Sequence, residues 1–295
     1  MWAILWSSSA RAHGGSTPIR GVYDWSSLPK AEPGAWIVWE FYPSIVLGCL
    51  GLFALYAYMA ERGRERWQLA PAGPTAAEWR RLVVALLTVF FALQGPMHEL
   101  ADVYLFSGHM VQHLLIQLVF PPLLIRAIPA WMWRPLIAKP WAMGFGKVVT
   151  HPVVAFVIAS ATLYLWHVPA MYDWALQDHN VHIVEHLMFM TAAVIMWWPA
   201  WSTLPELPAL SPGWRMIYLF LLTVPMKALG ALITVSDYVL YRYYATQPRV
   251  FDLDPLMDQR LGGLIMWLPG GLVFWFTIGW TFFTTYYADY LRQHR

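Results

Sequence analysis

The 295 residues are 59% apolar and 12% charged, against about 45–50% and 25% in ordinary globular chains, so water is not the main solvent for this sequence. A net charge of +2, with its basic residues flanking apolar runs, excludes a nucleic-acid partner. The single cysteine, Cys49, excludes an intrachain disulfide and a Cys-x-x-Cys motif. Residues 1–35 mix Gly, Ser, Pro and isolated charges without periodicity. They read as an irregular extracytoplasmic arm at the membrane interface, anchored by Trp2, Trp6 and Trp25 and followed by Trp36. The opening apolar run has no basic flank and is too short for a signal-peptide core.

In chain order, stretches apolar enough to cross a bilayer run at about 36–59, 81–98, 105–125, 151–168, 181–200, 214–236 and 261–287. None alternates as a barrel strand would, so the expected fold is an all-α integral membrane protein. Residues 36–295 would form a single domain, a bundle of about seven transmembrane helices. Between the third and fourth stretches, residues 121–147 carry Arg126, Arg134, Lys139 and Lys147 among Trp131, Trp133 and Trp141, the pattern of an interfacial segment. Pro199, Pro205, Pro208 and Pro212 make a later loop irregular, and residues 237–260 form a polar, aromatic and acidic loop.

Cytoplasmic loops keep the excess of Lys and Arg. Arg62, Arg64, Arg66, Arg80, Arg81, Arg126, Arg134, Lys139, Lys147, Arg215, Arg292 and Arg295 fall on one side. Half as many, Arg11, Arg20, Lys30, Arg242, Arg249 and Arg260, fall on the other. The amino terminus is therefore expected outside and the carboxyl terminus in the cytoplasm.

This topology gathers histidines at the outer face. His98 ends the second stretch, His109 and His113 open the third, His167 closes the fourth, and His182 and His186 open the fifth just after His179. Residues four apart share one face of a helix, about 6 Å apart along its axis, so each pair can aim two imidazoles at one point. Without thiolates, the available donors are imidazole nitrogen, carboxylate and thioether. Glu99, Asp102 and Glu185 supply carboxylates, as ligands or as partners that fix imidazole tautomers. Met97, Met110 and Met171 supply sulfur. The plain reading of a lone histidine at a helix end is a solvated or capping group, and it applies to His98 and His179 taken singly; His151, directly before Pro152, reads as a helix start, and His13 and His294 are terminal. Ionisable residues at membrane depth are costly and mark functional candidates, which singles out His113 and His186. Lys227, mid-segment after Pro225, needs a partner or tunes the charge of the site, as do Asp237 and Asp258 at its rim.

Several stretches form an ordered set: Gly108-His109-Met110-Val111-Gln112-His113-Leu114-Leu115, His167-Val168-Pro169-Ala170-Met171-Tyr172, and Val184-Glu185-His186-Leu187 leading to Trp197-Trp198-Pro199. Pro225-Met226-Lys227 with Ile233-Thr234, and Asp258-Gln259-Arg260-Leu261-Gly262-Gly263-Leu264-Ile265-Met266-Trp267, complete it. In these stretches the chain resembles the multi-spanning CtaG family of cytochrome c oxidase assembly factors associated with caa-type oxidases, distinct from the single-span copper chaperone of the same name. The resemblance implies a protein of the bacterial cytoplasmic (inner) membrane, an assembly factor more than an enzyme. It further implies copper handling, with an oxidase subunit and a copper donor protein as partners within the lipid bilayer, and the outward-facing imidazoles are compatible with it: the copper site would be drawn from His98, His109, His113, His167, His182 and His186.

The residues themselves leave two other classes open. One is a seven-helix zinc hydrolase with three imidazoles, a metal-activated water and Glu99 or Glu185 as base. The other is an electron carrier with haem held between imidazoles of facing helices.

Overall fold

A computed structural model describes residues 28–69 and 72–287. Most of the expected arm lies outside the described residues, with Trp2, Trp6, Trp25, Arg11, Arg20 and His13. So do Arg292, Arg295 and His294 at the other end. The described residues hold helices and no strands, apart from one isolated backbone bridge between Lys30 and Arg249.

Helix α1, Pro43–Arg66, begins seven residues later than the sequence pattern predicts and ends later too. Pro43 occupies its first turn, where a missing N–H costs nothing. The backbone of Tyr42 is held instead by the Gln94 side chain, its N–H donating to Oε1 (3.2 Å) and its carbonyl accepting from Nε2 (2.8 Å). Helix α2, Ala76–Leu93, starts at a capping box in which Thr75 and Glu78 satisfy each other's backbone N–H groups. It stops at Gln94 because Gly95 has φ +63°, and the chain resumes as α3, Gly95–Glu99, followed by a π turn over Leu100–Tyr104. A side chain at Gly95 would be driven into the indole of Trp39, so this break is a glycine position by conformation and by contact.

Helix α4 is Phe106–Ala127. Pro121 and Pro122 lie in its second half and donate no backbone bond, which leaves the Gln117 carbonyl without a helical partner. The indole Nε1 of Trp197 donates to that oxygen at 2.9 Å, and the ladder widens to a π turn over Leu115–Val119. The interfacial segment forms short pieces over Ala130–Trp133 and Arg134–Ile137, then α5, Pro140–Val149. Trp141 (76%), Leu136 (66%) and Phe145 (64%) are exposed along it. Helices α6, Pro152–Trp166, α7, Pro169–Gln177, α8, His179–Trp201, α9, Pro212–Thr234, and α10, Pro255–Tyr287, complete the described bundle.

Among the described residues five helices, α1, α4, α8, α9 and α10, are long and apolar enough to cross a membrane, and a sixth crossing arises if α5 and α6, bent by 68°, form one span. The one expected stretch outside these is the second in chain order, α2, an 18-residue helix that carries Glu78, Arg80 and Arg81 in its opening turns. The surface is inverted relative to a water-soluble protein. Leu47, Val157, Leu232, Leu272 and Phe276 are exposed, while His109, Gln112, Glu185 and Asp258 are 0–1% exposed. Such an arrangement places apolar side chains against lipid and polar ones against each other. Burial falls from 56% of the most apolar window in α4 to 11% in α1, so α4 is central and α1 peripheral.

Helices α9 and α10 touch through glycine. A Cβ on Gly230 would lie 2.8 Å from the Gly263 carbonyl, and one on Gly263 would lie 2.8 Å from both the Gly230 carbonyl and the Thr234 nitrogen. Close backbone approach through small residues is a common basis of helix association in lipid. Backbone atoms cannot rotate away as a side chain can, so Gly263→Val should destabilise the detergent-solubilised protein by about 1–3 kcal/mol or more. Gly48→Ala, whose new Cβ meets nothing within 4 Å, should be nearly neutral. Thermal unfolding of the two variants side by side checks this.

Candidate metal centre

Each helical histidine is placed by local chemistry. Helix α4 lacks a cap of its own, and its first turn is closed from α10. The Asp258 carboxylate accepts from the backbone N–H of Phe106 (2.8 Å) and of Ser107 (3.0 Å), and from the Ser107 hydroxyl (2.6 Å). That fixes the turn carrying His109 and, one turn on, His113. Helix α8 starts at Asp178, whose side chain accepts from the N–H groups of Asn180 and Val181, and presents His182 and His186 on one face. His167 follows the last residue of α6, with Nδ1 donating to the Leu163 carbonyl at 2.7 Å.

The two pairs face one another. Ring centroids lie 4.1 Å apart for His109 and His113 and 4.3 Å for His182 and His186 along their helices. Across the α4–α8 seam they lie 5.6 Å apart for His109 and His182, 6.1 Å for His109 and His186, and 5.4 Å for His113 and His186. His98, on α3, extends the group 6.4 Å beyond His182, and His167 extends it 6.5 Å beyond His113. All six expected histidines are therefore in one contiguous cluster, each at most 7% exposed.

Two sets of three could each hold an ion: His109, His182 and His186, and His109, His113 and Glu185, with donor atoms inside each set within 4.8 Å of one another. Two donors on one ion at about 2.0–2.1 Å lie at most about 4.2 Å apart, so small side-chain rotations close either set. Neither nitrogen of His109 or of His113 has a hydrogen-bond partner, nor does Nε2 of His167, His182 or His186, nor Oε2 of Glu185. Every one of these atoms is buried.

Asp102 is the hub at the His98 end of the cluster. One carboxylate lies 3.2 Å from Nδ1 of His98, 3.3 Å from Nδ1 of His182 and 3.9 Å from Nδ1 of His109. A carboxylate on Nδ1 orients the ring and leaves Nε2 for other donation. Glu185 Oε2 sits 3.8 Å from His182 Nε2, inside the cluster. The remaining candidates are elsewhere. Glu99 is half-buried on α3. Asp237 has a side chain 91% exposed and paired with Arg260 at 3.2 Å, so its contact is at the surface and not in the buried cluster. Lys227 is half-buried with its ammonium 5.6 Å from the ring of Trp275. Asp258 acts through the α4 cap. Peripheral His179 is exposed at the start of α8 and stacks on Tyr42 at 6.2 Å.

Three neighbours were not singled out as site residues from sequence. The Gln112 Nε2 donates to the Ala92 carbonyl at 3.0 Å and lies 3.1 Å from His98 Nδ1. Tyr172 packs 5.4 Å from His109 and 6.1 Å from His167. Tyr42 meets His98 edge-on at 4.5 Å. For Gln112 a signal existed: a glutamine on the buried face of an apolar helix, one residue before His113.

Comparison with known proteins gives this arrangement a family. The model of the cytochrome c oxidase caa3 assembly factor family (Caa3_CtaG) matches residues 54–288. The chain belongs to this family. The match contains all six clustered histidines, Asp102 and Glu185, so within the Caa3_CtaG family region the whole candidate centre is included. Uncharacterized proteins of Mycobacterium bovis and Mycobacterium tuberculosis are each 26% identical over 249 residues, covering 78% of this chain and 36% of their own length. One from Mycobacterium leprae is 25% identical over 251 residues, covering 78% of this chain and 37% of its own. The Caa3_CtaG chain thus spans little more than a third of these curated relatives. No solved structure matches it.

Two substitutions separate orientation from ligation. Asp102→Asn keeps the shape but removes the carboxylate beside Nδ1 of His98 and His182, and the affinity of any metal loaded into the cluster should fall about 10–100-fold. Asp258→Asn weakens the α4 cap and should cost about 0.5–2 kcal/mol of stability, with a smaller loss of affinity. Metal titration and thermal melts of both variants check the order.

Proposed function

We propose that this chain assists cytochrome c oxidase assembly by holding copper in the α3–α4–α6–α8 histidine centre and delivering it to an oxidase subunit. One observation carries the metal part: a set of buried imidazole nitrogens, with Glu185 Oε2, that have no hydrogen-bond partner. An unsatisfied buried polar atom costs about 1–3 kcal/mol, and coordination to an ion removes that cost for several atoms at once. Family membership supports the oxidase as the target, and copper is the ion that the family resemblance implies. A centre with more imidazoles than one ion needs also suits a carrier, because ligands can be exchanged one at a time.

In this reading the protein sits in the bacterial cytoplasmic membrane and crosses it seven times. Helix α2 makes a short crossing, the amino terminus lies outside and the carboxyl terminus inside. The grouping of basic side chains away from the histidines supports it. Arg81 donates to the Arg126 carbonyl at 3.4 Å, and Arg126 and Arg215 both lie over Trp201, at 5.3 and 5.6 Å. In this reading copper from a donor protein arrives on the side of the exposed His179, where Tyr42 meets His98 edge-on.

A second reading has a specific observation in its favour. Three imidazoles, His109, His182 and His186, beside the carboxylate of Glu185 form the donor set of a zinc hydrolase with a base at hand. Elemental analysis of protein purified from metal-replete membranes separates the two. Copper is expected at one or more per chain, falling to about a tenth or less in His113→Ala and His186→Ala. Neither variant should restore oxidase activity to a strain lacking the gene. Zinc in place of copper would favour the hydrolase, and protein free of metal even after copper loading would sink both.

A further inference from the structure

Next to the four facing imidazoles, on the far side of His113, lies a small cavity with room of about 20 Å³ for a water-sized sphere, enough for one small occupant. Two imidazoles line it. His113 has no partner on either nitrogen, and His167, its Nδ1 committed to the Leu163 carbonyl, has Nε2 buried and bare. Three methionines line it too: Met110, Met226 and Met266, at 1%, 9% and 3% exposed. No carboxylate is among its lining residues.

This donor set differs in kind from the cluster on its outer side. There, Asp102 and Glu185 accompany the imidazoles and suit a divalent ion. Here every candidate donor is neutral, and the cost of desolvating an ion rises steeply with its charge. Thioether sulfur is a soft donor that selects Cu(I) over harder ions. Methionines in a membrane core are ordinarily packing. These three share a void with two buried imidazoles whose free nitrogens nothing else satisfies, which packing does not explain.

We propose that the His113–His167–Met110–Met226–Met266 cavity is a second cation site, for a soft monovalent ion of the Cu(I) or Ag(I) class. His113 stands between the two sites, with one set of donors on each side. The copper reading of the outer cluster supplies only the physiological ion; the donors of the inner site stand on their own geometry.

Silver(I), which has no redox chemistry under these conditions, is the probe. Purified full-length protein in nanodiscs is titrated with silver(I) and, separately, with zinc(II), and the silver-loaded form is studied by X-ray absorption. Sulfur scatterers around silver are expected. The combined variant Met110→Leu, Met226→Leu and Met266→Leu keeps side-chain volume nearly constant, and should lose silver affinity at least tenfold while zinc binding stays within twofold. Met226→Leu alone, with a smaller loss in the same direction, serves if the combined variant does not fold. A silver shell of nitrogen and oxygen alone, or silver affinity unchanged by the methionine substitutions, would overturn the proposal, as would failure to bind silver at all. Silver bound through sulfur in a protein that takes up neither zinc nor Cu(II) would leave the inner site standing and remove the outer reading.

Discussion

The seam between α4 and α8 sets the character of the whole molecule, because two helices each bring an i, i+4 pair of imidazoles to a line where water is scarce. In lipid such groups have few alternatives. They must find partners in the protein or take a ligand, and the partners present cover only some of their nitrogens. The bundle's other polar contacts follow from that problem. Asp102 reaches three rings, the Leu163 carbonyl takes one proton of His167, and Gln112 reaches both His98 and the end of α2.

Holding those rings in place falls mostly to α4, and α4 is secured by side chains from other helices. Asp258 of α10 substitutes for a missing cap, and Trp197 of α8 takes the Gln117 carbonyl that Pro121 and Pro122 abandon. Each contact lies on the far side of a helix break or a helix end, where the backbone has unpaired groups to offer. The cap also explains the chemistry of residues 258–263. Asp258 binds the start of α4, Gly262 admits the ring of Phe106, and Gly263 lets α9 approach.

The all-helical, apolar architecture and the histidine cluster were legible in the sequence because both follow from long apolar runs and helical periodicity. His109 and His113 share a face at any helical register, as do His182 and His186, and the charge count put both pairs at one end. What was not legible depends on contacts between distant segments. Nothing local in residues 36–42 says that Gln94 will hold Tyr42 outside the helix, although Pro43 permits the later start. The chain breaks at Gly95 inside the second expected stretch, which hydropathy alone carries unbroken to His98. Asp258, read as a rim charge, has its partners some 150 positions earlier, a separation no short-range pattern records. The role of Asp102 as hub depends in the same way on α3 and α8 meeting.

The Gly230–Gly263 contact has a bearing on the inner cavity. Met226 lies one turn before Gly230, and Met266 lies three residues after Gly263. With no side chain between them, α9 and α10 close until peptide meets peptide, and the gap between the two methionine-bearing faces is then set by the dimensions of the backbone. Gly270 extends the effect, since a Cβ there would stand 2.7 Å from the Met226 sulfur. Rotamer changes cannot widen such a gap. The glycines therefore act as a gauge, and the diameter of whatever the methionines admit is fixed by two residues that never touch it.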